Sequence, residues 1–334
     1  MRVFVTGATG FIGSAVVREL VQAGHQVTGL VRSEEGEKQL ARAGASALRG
    51  TIEDLDSLRR GAEGADGVVH TAFFHSFGHA SLGIRLRVMF GGGPAGMFRR
   101  FMAAAVEVDR RAIEALGTSL RGAERSLVVP FGTLAMAPGR VAVETDAPDP
   151  NSVNALRGAS EEVALALASR GVKVSVIRLP PAVHDEHKLG LVSLLIQTAR
   201  KKKVSAYVGL GDHRWGAVHR LDAARLFRLA LEKREDRARY HGVAEGHLRL
   251  RDVAEAIGQH LGVPVRAMSP EEAPKHFAWL APAASADNPC SSEATQERLG
   301  WRPTHPQLMA DIAASLQVAQ PVASKRVEPQ GSNG

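Results

Sequence analysis

The sequence predicts an α/β fold, a doubly wound parallel sheet of about seven strands with helices on both faces and a smaller C-terminal substrate lobe. Three observations carry that expectation. The first 32 residues, MRVFVTGATGFIGSAVVRELVQAGHQVTGLVR, read as strand, glycine turn, helix and strand in register. Short apolar runs then alternate with helical patterns as far as Arg178, the order that builds a parallel sheet from crossover units. Finally, 334 residues at 44% hydrophobic content can bury the core of one large domain or two unequal ones.

Taken in order, Arg2 to Thr6 is a short apolar run with β-branched residues, a buried strand. Glycines follow with the spacing GxxGxxG. Gly7 permits a tight turn, Gly10 lets backbone approach a phosphate, and Gly13 lets the helix lie close on the strand. Phe11, Val16, Val17, Leu20 and Val21 carry the helix to Ala23, Gly24 ends it, and Gln26 to Val31 is the second strand. The free N–H groups and positive dipole end of such a helix suit the pyrophosphate of a dinucleotide. Gly7, Thr9, Gly10, Phe11, Ile12 and Gly13 are therefore the first candidate cofactor contacts. Arg32 and Ser33 close the second strand, with no acid before Glu34. A guanidinium there can pair with a 2′-phosphate, so the expected cofactor is NADP, with NADPH preferred over NADH.

That spacing, with VTGATGFIG at the N-terminus, resembles the extended and atypical short-chain dehydrogenase/reductases, the NAD-dependent epimerase/dehydratase relatives. The resemblance runs from about Met1 to Leu316 and is most specific in the first 32 residues, in RLPPAVH, in HRLDAA and in LGW-P. It guides the remaining elements. After a charged helix (Glu34 to Ala43) and a strand (Ser46 to Arg49), Thr51 stands where the family usually has the Asp that touches adenine. The resemblance then implies a backbone or hydroxyl contact at Thr51 and Ile52. Asp54 caps a short helix, and Asp66 to Ala72 is the fourth strand, whose end implies Thr71, Ala72 and Phe73 beside the nicotinamide ribose.

Phe74 to Arg100 is less regular, with His75 and His79 flanking Phe77 and a Gly91-Gly92-Gly93-Pro94 run that no helix interior tolerates. A lid or substrate loop and a plain surface excursion both remain open there. Phe101 to Leu116 is helical, Ser126 to Phe131 the fifth strand, Ala159 to Arg170 a helix and Val172 to Arg178 the sixth strand. RLPPAVH looks like the family's loop around the nicotinamide end, which implies contacts from Pro180 and Val183. Leu189 to Lys202 and Arg249 to Leu261 are further helices. The expected division is a dinucleotide-binding domain over 1–184, a mainly substrate lobe over 185–316 with elements returning to the first domain, and a disordered tail over 317–334.

In the resembled family a Tyr-x-x-x-Lys pair does the proton work, helped by a hydroxyl after strand five. Here neither Tyr207 nor Tyr240 has a Lys four residues on. Alignment puts Val153 and Arg157, or one residue later Asn154 and Gly158, at the two places, and Phe131 replaces the usual Ser. Asp109 stands where the family often has Asn. The candidate catalytic set is therefore His75 as proton donor, Thr133 as orienting hydroxyl, and Arg157, which cannot release a proton but could hold the ribose or a phosphate. His184, Tyr207 and His219 are the reserve donors.

The net charge of +7 is scattered, aromatic content is 5% and no nucleic-acid module is recognisable, so the charge suits an anionic cofactor or substrate. The single Cys290 excludes an internal disulfide and a Cys-based zinc cluster, and no metal is expected. No signal-like segment or apolar run of membrane-spanning length occurs, so a cytoplasmic protein is expected, with a small-molecule substrate and a homodimer as the assembly to test. Three functions fit: an NADP(H)-dependent oxidoreductase on a small carbonyl or alcohol; a non-redox isomerase or cyclase on the same scaffold; and a non-catalytic NADP(H) sensor or partner-binding protein.

Overall fold

A computed structural model describes residues 1–74, 81–93, 96–122 and 124–318. The first half runs β1 (Arg2–Thr6), α1 (Phe11–Gln22), β2 (Gln26–Val31), α2 (Glu34–Arg42), β3 (Ser46–Arg49), α3 (Leu55–Glu63), β4 (Gly67–His70), α4 (Leu82–Phe90), α5 (Met97–Ser119), β5 (Ser126–Gly132), α6 (Ala155–Ala166) and β6 (Lys173–Leu179). The second runs β7 (Ala182–His184), α7 (Val192–Lys202), β8 (Ser205–Val208), β9 (Arg214–His219), α8 (Arg220–Lys233), β10 (Ala238–His241), β11 (Glu245–Arg249), α9 (Leu250–Leu261), β12 (Val265–Met268), α10 (Ala273–Phe277), α11 (Ala281–Ala284), α12 (Glu293–Leu299) and α13 (Leu308–Val318).

Seven strands form one sheet in the order β10-β6-β5-β4-β1-β2-β3, parallel at each pairing. The strand order reverses between β1 and β4, and the crevice for a ligand lies beyond their C-terminal ends. Burial on both faces explains why the middle of β1, Val3 to Val5, is wholly apolar. Val3 and Val5 pack with α1 and α8 on one face, while Phe4 packs with α3 and α5 on the other. A strand covered on both sides has no polar face to keep. The C-terminal elements add a three-stranded sheet (β11-β9-β7), a two-stranded one (β12-β8) and their own apolar cluster around Trp215, Ile196, Phe277 and Ile312. Among the described residues no helix is long and apolar enough to cross a membrane.

Several boundaries differ from the sequence reading. A helix, α4, occupies part of the stretch expected to be irregular; α5 is longer at both ends; and the helix expected from Ala159 starts at Ala155 and tightens to 3-10 geometry at Leu167–Arg170. Residues 317 and 318, assigned to the tail, finish α13, while 319–334 lie outside the described residues. The same is true of His75 and His79.

Candidate functional site

The glycine turn is built by exclusion of side chains. Gly7 has φ +67°, and a Cβ there would sit 2.7 Å from the Ala72 backbone nitrogen at the end of β4. A Cβ on Gly13 would come within 2.0 Å of the Gly7 carbonyl oxygen. Both positions need glycine for the turn to lie against β4. Gly10 donates its N–H to the Gly7 carbonyl at 2.8 Å and begins α1 with no side-chain cap. The first-turn N–H groups of α1 thus lack the acceptor that Ser, Thr or Asp would provide, which is what an anion site at a helix start requires. Thr9 and Gly10 are exposed, Phe11 and Ile12 half-buried, and Gly13 buried.

Arg32 extends from the end of β2, exposed, with no side-chain hydrogen bond or ion pair among the described residues. Beside it Ser33 accepts from the Gly36 N–H at 3.3 Å and caps α2. Thr9 lies alongside, its methyl 3.5 Å from the position of a Cβ on Gly36. Thr51 accepts from the N–H groups of Glu53 and Asp54, both at 3.3 Å, which leaves its own hydroxyl proton to give. Ile52 is buried in the core below. Thr71 donates to the Thr6 carbonyl at 2.7 Å, and the Ala72 N–H points to Thr6 Oγ1 at 3.4 Å. Pro180 and Val183 are buried around the start of β7.

The opposite corner, at the end of β5 and the start of α6, is built from charge. Arg157 pairs with Asp109, donates to the Pro130 carbonyl at 2.9 Å, and stands over the rings of Phe73 (4.1 Å) and Phe131 (4.9 Å). Asp109 is 1% exposed. Burial pushes its carboxyl up, but the Arg157 charge and His70 prevail and hold it below the usual carboxylate range. His70 Nε2 lies 3.4 Å from Asp109 Oδ1, and His70 Nδ1 lies 2.7 Å from Thr6 Oγ1. A buried polar chain, Thr6–His70–Asp109–Arg157, therefore links the residue before the glycine turn to the far side of the crevice.

Among the described residues, the proton carriers expected from the sequence are not brought together at this corner. Thr133 has no exposed surface, and its hydroxyl donates to Asn288 Oδ1 at 2.7 Å while Asn288 Nδ2 donates back to the Thr133 carbonyl at 2.9 Å. The Thr133 hydroxyl proton is thus engaged by Asn288. Cys290, next to this pair, has its thiol pushed up to about 12 by burial. Val153, at the family's tyrosine position, is 47% exposed, and Asn154 sits at the N-cap of α6 without capping it. His184 Nδ1 contacts Asp311 at 2.6 Å in a separate cluster with His219, itself stacked on His305 at 4.9 Å. Tyr207 is covered by Arg251, and Tyr240 donates to Glu235 from within the core. His75 lies outside the described residues. Sequence reasoning passed over His70 and Asn288. The first had a faint signal, a lone His ending the apolar run DGVVH; the second, in the C-terminal half, had none.

Residues 7–116 match a family model described as NAD(P)H-binding. The chain is 45% identical to "Uncharacterized protein C2A9.02" of Schizosaccharomyces pombe, over 94% of this chain and 99% of that one. It is 39% identical to "Uncharacterized protein YLL056C" of Saccharomyces cerevisiae, over 95% of this chain and 100% of that one. Among solved structures, "MoeE5 in complex with UDP-glucose and NAD" shares the fold at a TM-score of 0.67 and 21% identity, covering 95% of this chain and 98% of that chain.

Proposed function

Since the chain belongs to the extended and atypical short-chain dehydrogenase/reductases, we propose that it is an NADP(H)-dependent oxidoreductase acting on a small carbonyl or alcohol with a non-standard acid/base. One observation carries the reading: an uncapped helix start behind Gly7, Gly10 and Gly13 shares an edge with Arg32, an exposed guanidinium without a partner among the described residues. The residues present fit a dinucleotide. The first-turn N–H groups of α1 hold the pyrophosphate, Arg32 the 2′-phosphate, and Thr51 the adenine side. The nicotinamide supplies the hydride when bound.

The chain's own contribution at the reacting end is charge, shape and a proton. Arg157, fixed by Asp109 and stacked on Phe73, holds the ribose side. Thr133 is committed to Asn288, and the proton donor proposed for the substrate oxygen is His75, which follows the strand bordering the nicotinamide. His75→Ala is expected to cut turnover by about 10²- to 10⁴-fold with NADPH affinity unchanged. NADPH should bind more tightly than NADH by roughly 10- to 150-fold, and Arg32→Asp should abolish that preference. Titration of both dinucleotides, followed by turnover on a carbonyl panel, tests the reading. Equal affinity for NADH and NADPH would overturn the cofactor assignment. Tight NADPH binding without turnover on any carbonyl favours a sensing protein, the reading that the missing tyrosine and buried Thr133 support.

A further inference from the structure

Strands β7 and β9 lie parallel with His184 opposite His219. The residues that follow them, Asp185 and Arg220, meet in an ion pair of 2.6 Å. Asp185 is 2% exposed, and its Oδ1 also accepts from the N–H groups of His187 and Lys188 at 2.9 and 2.8 Å, closing a tight turn. One buried carboxylate thus holds the Arg220 guanidinium and the backbone of Lys188. Both side chains face the glycine turn: Lys188 Nζ is 5.1 Å and the Arg220 guanidinium carbon 5.2 Å from the centre of the Phe11 ring. Phe11 is the first residue of α1, directly after Gly10. The Lys188 ammonium is exposed and has no ion-pair partner among the described residues.

Two cations against one carboxylate leave a net positive charge beside a helix end that is itself positive. Like charges gathered at one place raise the energy unless an anion comes between them. We propose that Lys188 and Arg220, from the C-terminal half of the chain, close over the glycine turn and bind the cofactor's pyrophosphate, with Asp185 as the residue that positions both. The proposal rests on the reading that the turn takes a dinucleotide. It adds a second wall to that site, drawn from residues that follow the expected domain boundary at 184.

The two dinucleotides share the pyrophosphate and differ in the 2′-phosphate, which makes the contact separable from that of Arg32. In fluorescence titrations of the full chain, Lys188→Gln should weaken NADPH and NADH by the same factor, about three- to tenfold, and more at low salt than at high. Adding Arg220→Gln should bring the loss to about 10- to 100-fold with the NADPH-to-NADH ratio unchanged. Lys188 is exposed, so its variant folds; a melting temperature equal to the parent's verifies this. Unchanged affinities in the folded double variant, or a loss confined to NADPH, would overturn the proposal while leaving the cofactor reading intact. A parent protein that binds neither dinucleotide would overturn both.

Discussion

At Gly13 the structure has no room for a methyl group: a Cβ would lie 2.0 Å from a carbonyl oxygen. At Arg157, across the same crevice, it has taken in a guanidinium and a carboxylate and closed two aromatic rings over them. The first corner gains its function from atoms left out, so that backbone can meet a ligand. The second is filled by a buried ion pair whose arginine stands at the place of the lysine in the resembled family. One corner is thus shaped by backbone and the other by buried charge. One polar chain, Thr6–His70–Asp109–Arg157, crosses between the two.

The contrast can be broken most directly at the charged corner. Asp109→Ala strands Arg157 as an uncompensated buried charge and is expected to cost about 3–5 kcal/mol of stability, read from denaturant unfolding. Gly13→Ala, an overpacking change, should cost less, about 1–3 kcal/mol, yet reduce NADPH affinity more than any folded Asp109 variant does. The reverse order of either pair would mean that the two corners do not divide the work in this way.

Acid separates the charged corner from histidines buried elsewhere, His219 beside His305 and His241 at the end of β10, by a smaller effect. Burial holds His219 and His241 below the ordinary histidine value. Their neutral forms are favoured in the folded state, so the unfolded chain binds more protons. The associated stability is present above about pH 6.5 and is lost as pH falls below it, by at most about 1.4 kcal/mol per pH unit for each histidine. Asp109, whose carboxyl lies below its ordinary range, keeps its contribution above the ordinary carboxylate pKa of about 4 and loses it progressively as the pH falls below that. Melting temperature should therefore fall between pH 7 and 5.5. A flat profile there would remove the histidines from the account, and His241→Gln should flatten it in part. The smallest expected effect is at Cys290. With its thiol raised to about 12, it should resist thiol reagents in the native state and react freely in denaturant, with NADPH affinity unchanged after native treatment.

Legibility in the sequence followed chain distance. β1, β2 and β3, the Asp54 cap and the glycine turn are local, and each was readable from adjacent residues. The order of a parallel sheet also follows from alternating elements, which is why about seven strands could be expected. Asp109 and Arg157 could be named from family position, but not that they pair across 48 residues, nor that His70 backs them. Thr133 looked available because its partner Asn288 is 155 residues away. Nothing in the local pattern around either residue encodes that contact. The four residues of β10 are polar at three positions, so no apolar run announced a strand.

That last strand sets the order of events during synthesis. β10 forms the edge of the large sheet beside β6, yet about 60 residues separate Leu179 from Ala238 in the chain. While those residues are being translated, roughly 3–12 s at usual elongation rates, the Val174, Val176 and Ile177 strand waits with one open hydrogen-bonding side. The nascent protein passes through that unpaired stage each time it is made. A fragment ending at residue 184 would remain there permanently and should associate through that edge.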